Sequence, residues 1–146
     1  MILALMVAPA LSAFAQVTVK DPWVRATVAQ QKATGAFMQL IAKQDARLIE
    51  AHSPVAGRVE IHEMTMADNV MKMRAISGLE LPAGKTVEIE PGGYHIMLLN
   101  LNQQIKAGAL VPMTLVIETK GKKRELIELK VPVHPLNGVA ANGPGH

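Results

Sequence analysis

The sequence predicts an all-β chain: one antiparallel sandwich or barrel of short strands, in a single domain. Three observations carry this prediction. Segments rich in Val, Ile and Leu recur between turn signals, the rhythm of antiparallel β-structure. No stretch shows the three-to-four-residue apolar period of a long helix. A chain of 146 residues, 49% apolar and 18% charged, is long enough for one globular core and short for two. Aromatic residues make up only 3%, so the core is expected to be aliphatic.

The first fifteen residues, MILALMVAPALSAFA, carry no charge and end in Ala13-Phe14-Ala15 before Gln16. This is the layout of a secretory signal, and 1–15 are assigned to it. No Lys or Arg precedes the apolar run, so a truncated leader is expected. A membrane span would need about 20 continuous apolar residues. Gln16, Thr18, Lys20 and Asp21 interrupt the run, so no stable membrane insertion is expected once the signal is cleaved.

The folded domain is assigned to 16–133. Its strand-like segments are, in order, VTVKDPWVRAT, GAFMQLIA, ARLIEAHS, RVEIHEM, VMKMRAI, KTVEIE, YHIMLLNL, MTLVIET and RELIELKVPV. Between them stand Ser53-Pro54, Gly78, Pro82-Ala83-Gly84, Pro91-Gly92-Gly93 and Gly121, residues that set turns by fixing or freeing φ. A short helical turn is expected at QQIKAG, 103–108. From His134 the chain reads HPLNGVAANGPGH, without periodicity, and 134–146 are assigned to a flexible tail. His134 and His146 are expected to be solvated there rather than folded back onto a metal.

Composition excludes several functions. Without Cys there are no disulfides, thiolate metal sites or Cys nucleophiles, and any soft ligand must be Met. The net charge of +3 is concentrated in KGKKR, 120–124, between two strand-like segments. It reads as a solvated hairpin turn. One Trp, one Tyr and two Phe supply no stacking platform, so no nucleic-acid partner is expected. Glu60, Glu63, Asp68, Ser53 and Ser77 lack partners at a spacing that suggests a catalytic triad, and Pro91-Gly92-Gly93 lacks the Lys and Ser/Thr of a phosphate loop.

The chemistry is concentrated in HEMTMADNVMKMR, 62–74, which holds one His and four of the nine Met. Period-two alternation sends Val59 and Ile61 to one face, and Glu60, His62 and Met64 to the other. Met71 and Met73 share a face opposite Lys72 and Arg74, and His95 and Met97 share one at the start of a later strand. The spacing runs His62, ten residues, Met73, twenty-one residues, His95, one residue, Met97. Two imidazoles and two thioethers make a neutral, soft donor set. Such a set suits Cu(I) better than Zn(II), Mg(II) or Ca(II), and the absence of Cys excludes a blue-copper centre.

HEM, VMKMR and PGGYHIMLLNL, with DPWVRAT and GAFMQL earlier, resemble the periplasmic copper chaperones of the PCu(A)C family. That family's signature is His, ten residues, Met, twenty-one residues, His, one residue, Met. The resemblance runs from about Val17 to Val133. It implies a cupredoxin-like Greek-key β-sandwich that binds one Cu(I) through His62, Met73, His95 and Met97. It also implies delivery of copper by ligand exchange in the periplasm, with cytochrome c oxidase subunit II, its CuA centre or its assembly factors as partners, and no enzymatic activity. Some members carry Met directly after the first His. Here that position is Glu63 and Met64 follows, so Met64, Met66 and Met71 stay open between shielding or relaying copper and plain packing.

Met38 and Met113 are expected in the core, His52 at a surface turn, and Trp23 and Tyr94 as packing or rim residues. The alternatives to a copper carrier are a periplasmic buffer that sequesters the metal, a copper-dependent redox protein, and a β-sandwich interaction module whose Met cluster is packing.

Overall fold

The computed structural model describes residues 16–136, in which the strand rhythm of the sequence becomes ten strands. They are β1 (Val17–Arg25), β2 (Ala33–Ala42), β3 (Ala46–His52), β4 (Ala56–Ala67), β5 (Val70–Ile76), β6 (Leu79–Leu81), β7 (Thr86–Ile89), β8 (His95–Leu101), β9 (Leu110–Thr119) and β10 (Lys123–His134). The segment expected to be the signal, 1–15, lies outside the described residues, as does His146.

Hydrogen bonding links the strands in the order β5-β4-β8-β2-β1-β10-β9-β3-β6. β7 and β8 share one edge of β2 in succession: β8 pairs with Ala33 to Ala36 and β7 with Met38 to Ile41. Among the named strands every pairing is antiparallel except a short parallel junction of β1 with β10, Val24↔Val133 and Arg25↔His134. This junction joins the half that runs from β5 to β1 to the half that runs from β10 to β6.

One aliphatic cluster draws on both halves. Leu40, Ile61, Ile96 and Leu98 come from the first, and Leu48, Leu81, Leu115 and Ile117 from the second. Burying each such side chain stabilises by roughly 1.5–3 kcal/mol. Met38 and Met113 are among these core residues, as expected. The all-β, single-domain reading holds.

Three local features differ from the sequence reading. β6 has three residues, too few to show alternation, yet Leu79 and Leu81 are buried beside β3. The helical turn expected at 103–108 does not form. Ile105 is pulled into the core instead, with its N–H donating to Thr27 Oγ1 at 2.9 Å and its carbonyl accepting from Thr27 N–H at 2.8 Å. That tertiary anchor overrides the local helical preference. β10 continues through His134, one residue past the expected tail boundary.

A bulge in β1 decides what the first half displays. Lys20 pairs Gln39 and Trp23 pairs Phe37, so Asp21 and Pro22 together oppose Met38, with Asp21 at φ +49°. One extra residue reverses the in-out alternation. Val17 and Val24 both point into the core, and Trp23 and Arg25 turn to the outer face.

Candidate metal centre

The hairpin that carries HEMTMADNVMKMR closes through a two-residue turn. Ala67 pairs Val70, and Asp68 and Asn69 between them have φ of +52° and +63°. Two successive left-handed residues make a type I′ turn, whose twist matches that of the flanking strands, and Asp and Asn tolerate this conformation better than other side chains. The turn therefore pins the register of β4 against β5.

Residues opposite one another across antiparallel strands point to the same face. His62 stands opposite His95 on β8 and Ala75 on β5, while Glu60 stands opposite Met97 and Met64 opposite Met73. The four residues picked from the sequence thus lie on one face of three adjacent strands. Val59 and Ile61 take the other face and pack into or against the core. Glu63 also points away from His62, and its carboxylate is tied to Arg74 at 2.6 Å. Met64, Met66 and Met71 share the face of His62, with Met66 opposite Met71.

The two imidazoles are sheltered and incompletely satisfied. The His62 side chain is 15% exposed and His95 8%. His62 Nε2 lies 2.9 Å from Glu60 Oε1. An ionised carboxylate only accepts hydrogen bonds, so Nε2 carries a proton, and in the neutral imidazole Nδ1 then keeps a free lone pair. The hydrogen bond from His62 holds the Glu60 carboxyl below its ordinary range, which keeps it ionised, and Arg58 at 3.2 Å acts in the same direction. His62 Nδ1 and His95 Nδ1 are both buried without a hydrogen-bond partner. Buried nitrogens without partners are rare enough to need an explanation, and two of them on directly opposed residues fit a shared cation. Burial, with lesser contributions from His62 and Arg25, pushes the His95 pKa down, so this ring stays neutral and able to donate.

An aromatic wall flanks His95. The Phe37 ring meets it edge to face at 5.6 Å, and Trp23 lies 4.7 Å from Phe37. His134 stacks on Trp23 at 5.1 Å, and the Arg25 guanidinium sits 5.4 Å from the Phe37 ring centre. Gly35, opposite Met97, makes room for that ring: a Cβ there would come within 2.8 Å of Phe37 Cζ. Sequence reasoning missed both the wall and the pairing of Glu60 with His62. The pairing was visible as an i, i+2 spacing on one strand face, whereas the wall depends on the β1 bulge.

Among the described residues no group of three or more His, Asp or Glu is placed to hold a metal. A groove of about 860 Å³ lies close by, lined in part by Met64, Ile76, Val87, Glu90 and Tyr94. Other charged residues on its walls are already engaged, Glu63 with Arg74, Glu80 with Arg47 and Glu88 with Gln39.

Fold and face together define a β-sandwich that presents sheltered imidazoles and thioethers on one sheet. The chain belongs to the family described as "Putative lipoprotein LpqE-like", whose model matches residues 17–133. A relative named "Putative lipoprotein Lxx21020", from Leifsonia xyli subsp. xyli, is 29% identical over 88% of this chain and 76% of its own length. Among solved structures, the solution structure of apo-DR1885 from Deinococcus radiodurans matches at TM-score 0.61 and 26% identity, over 86% of each chain. The copper-bound PCuAC domain from PmoF2 matches at TM-score 0.62 and 22% identity, over 81% of this chain and 93% of that one. The apo PCuAC domain from PmoF1 gives the same TM-score at 19% identity, with 81% and 94% covered. These likenesses agree with the cupredoxin-like sandwich expected from the sequence. Among the described residues no helix is long and apolar enough to cross a membrane.

Proposed function

We propose that this protein is an exported carrier of Cu(I) that holds one ion through His62, Met73, His95 and Met97. The observation that carries this reading is the β4–β8 register. It sets His62 opposite His95, each with a bare buried Nδ1, and puts Met73 and Met97 on the same face. Support also comes from the neighbours. Three are named as PCuAC domains, one of them copper-bound, and DR1885 has been solved with CuI at TM-score 0.56 and 26% identity. The relatives' designation as lipoproteins supports export.

Each group has a distinct task. Glu60 fixes the tautomer that leaves His62 Nδ1 free, and burial keeps His95 neutral. Met97 is half-buried and shelters the ion, while Met73 is 46% exposed and is the first ligand an incoming donor displaces. Neutral thioethers hold Cu(I) without the strong trapping of thiolates, so exchange with an acceptor's thiolate or imidazole can proceed one ligand at a time. The acceptor is the CuA centre of cytochrome c oxidase or one of its assembly factors, and the protein itself is not an enzyme. The second reading, a periplasmic buffer, has the same site without transfer.

Titrating Cu(I) under reducing conditions against a chelator of known affinity tests the site in wild type, His62→Ala and Met73→Ala. Weaker binding in both variants is expected, and unchanged binding in both would sink the assignment. Incubation of the loaded protein with an apo CuA domain then separates carrier from buffer, because only the carrier loses its copper.

A further inference from the structure

The proposed site uses one methionine of the β4–β5 hairpin and leaves three without a task. Met64, Met66 and Met71 lie on the face of His62, and cross-strand pairing arranges the hairpin methionines as two rungs, Met64 opposite Met73 and Met66 opposite Met71. β8 begins at His95, opposite His62, so among the described residues no third strand flanks these rungs. Met66 is 65% exposed and Met71 49%, whereas the packing methionines Met38 and Met113 are 2% exposed. Packing therefore does not account for the outer rung.

We propose that Met66 and Met71, with Met64 behind them, form a second, weaker Cu(I) station at the tip of the hairpin. The type I′ turn holds the register, and directly opposed side chains have Cβ atoms about 4.5–5.5 Å apart. A methionine has three rotatable side-chain bonds, so two sulfurs on one rung can converge on an ion between them while a third approaches from the rung behind. The donors are all neutral thioethers. The charged side chains flanking these two rungs, Lys72, Arg74 and Glu63, alternate to the opposite face, and Glu63 is engaged by Arg74, while Glu60 stands farther back on the rung beyond His62 and is engaged by it. With no carboxylate or imidazole among its donors, the tip selects a soft monovalent ion over Zn(II) or Ca(II). The inner rung contains both Met64 and Met73, so an ion taken at the tip has thioethers in sequence along its path to His62 and His95. The inference rests on the carrier reading of the neighbouring site.

Ag(I), added alone as its nitrate, is a redox-inert probe of both stations in the full chain. The readouts are native mass spectrometry and NMR of 13C-labelled methionine methyls. Wild type is expected to bind two Ag(I), with the Met66 and Met71 methyls moving mainly during the second equivalent. The double variant Met66→Leu/Met71→Leu conserves volume at exposed positions and should fold normally. It should bind one Ag(I), with the Met73 and Met97 methyls still responding. His62→Ala/His95→Ala should lose the first equivalent while the Met66 and Met71 methyls still move. Stationary Met66 and Met71 methyls, or two ions bound by the Leu variant, would overturn the tip station and leave an apolar surface for another protein or a second copy. Loss of neither ion in the His variant would instead refute the carrier site while leaving the tip station standing.

Discussion

Replacing Glu60 with Gln isolates the hydrogen bond that sets the His62 tautomer. In the native protein Oε1 accepts from Nε2 at 2.9 Å, and a carboxylate offers no donor, so Nδ1 is left bare. An amide of the same shape can accept at its oxygen or donate from its nitrogen. In the second arrangement the proton moves to Nδ1 and blocks ligation. Loss of a partner that orients a ligating His typically costs about 10–100-fold in metal affinity. Here the Glu60 side chain is 30% exposed and also engages Arg58, so water can partly take its place. The expected loss is therefore at the lower end, about tenfold. Anaerobic competition with a chromophoric Cu(I) chelator measures the affinity, and 15N–1H long-range correlation of the imidazoles reports the tautomer of His62. A shifted tautomer with unchanged affinity would refute Nδ1 as the binding atom. An unchanged tautomer with a tenfold loss of affinity would refute the tautomer as the route by which Glu60 acts.

Metal-free protein should lose stability as pH falls below about 6.5, the ordinary value from which burial lowers the His95 pKa. The unfolded chain binds the proton first, so stability is full above that pH and declines toward the lowered folded value. Glu60, whose pKa is also lowered, adds a further loss once pH falls below about 4.5. Urea midpoints at several pH values check both, and an equal slope between pH 7 and 5 in His95→Gln would count against the His95 contribution. Gly35→Ala drives a methyl into the buried Phe37 ring, which Trp23 and Arg25 confine, and should cost roughly 1–3 kcal/mol. Its Cu(I) affinity should fall as well, because Phe37 leans on His95; a variant as stable and as tight-binding as wild type would show the ring to be freely movable.

Legibility differed by feature. Long alternating segments such as MTLVIET and RELIELKVPV became β9 and β10 because period-two alternation with turn residues at the ends admits few other structures. The side-chain directions of His62, Met64, Met71 and Met73 followed from the same period. What stayed hidden depended on partners distant in sequence. Leu79–Leu81 is a strand because β3 pairs with it, and Ile105 is unwound because Thr27 holds it. Glu60 looked like a lone acid until His62 was seen within hydrogen-bond distance.

By itself, then, the sequence determined the all-β class, the aliphatic core, the soft and thiol-free donor chemistry, and the face on which each candidate ligand stands along its own strand. These are local properties of composition and of the two-residue strand period. Only the tertiary structure decided that His62 stands opposite His95 rather than one residue out of register, that both Nδ1 atoms are buried and bare, and that the β1 bulge turns Trp23 and Arg25 onto the same face. The reason is physical. Strand alternation tells which way a side chain points but not what lies across from it, and a slip of one residue in the β4–β8 pairing would send His62 and His95 to opposite faces of the sheet.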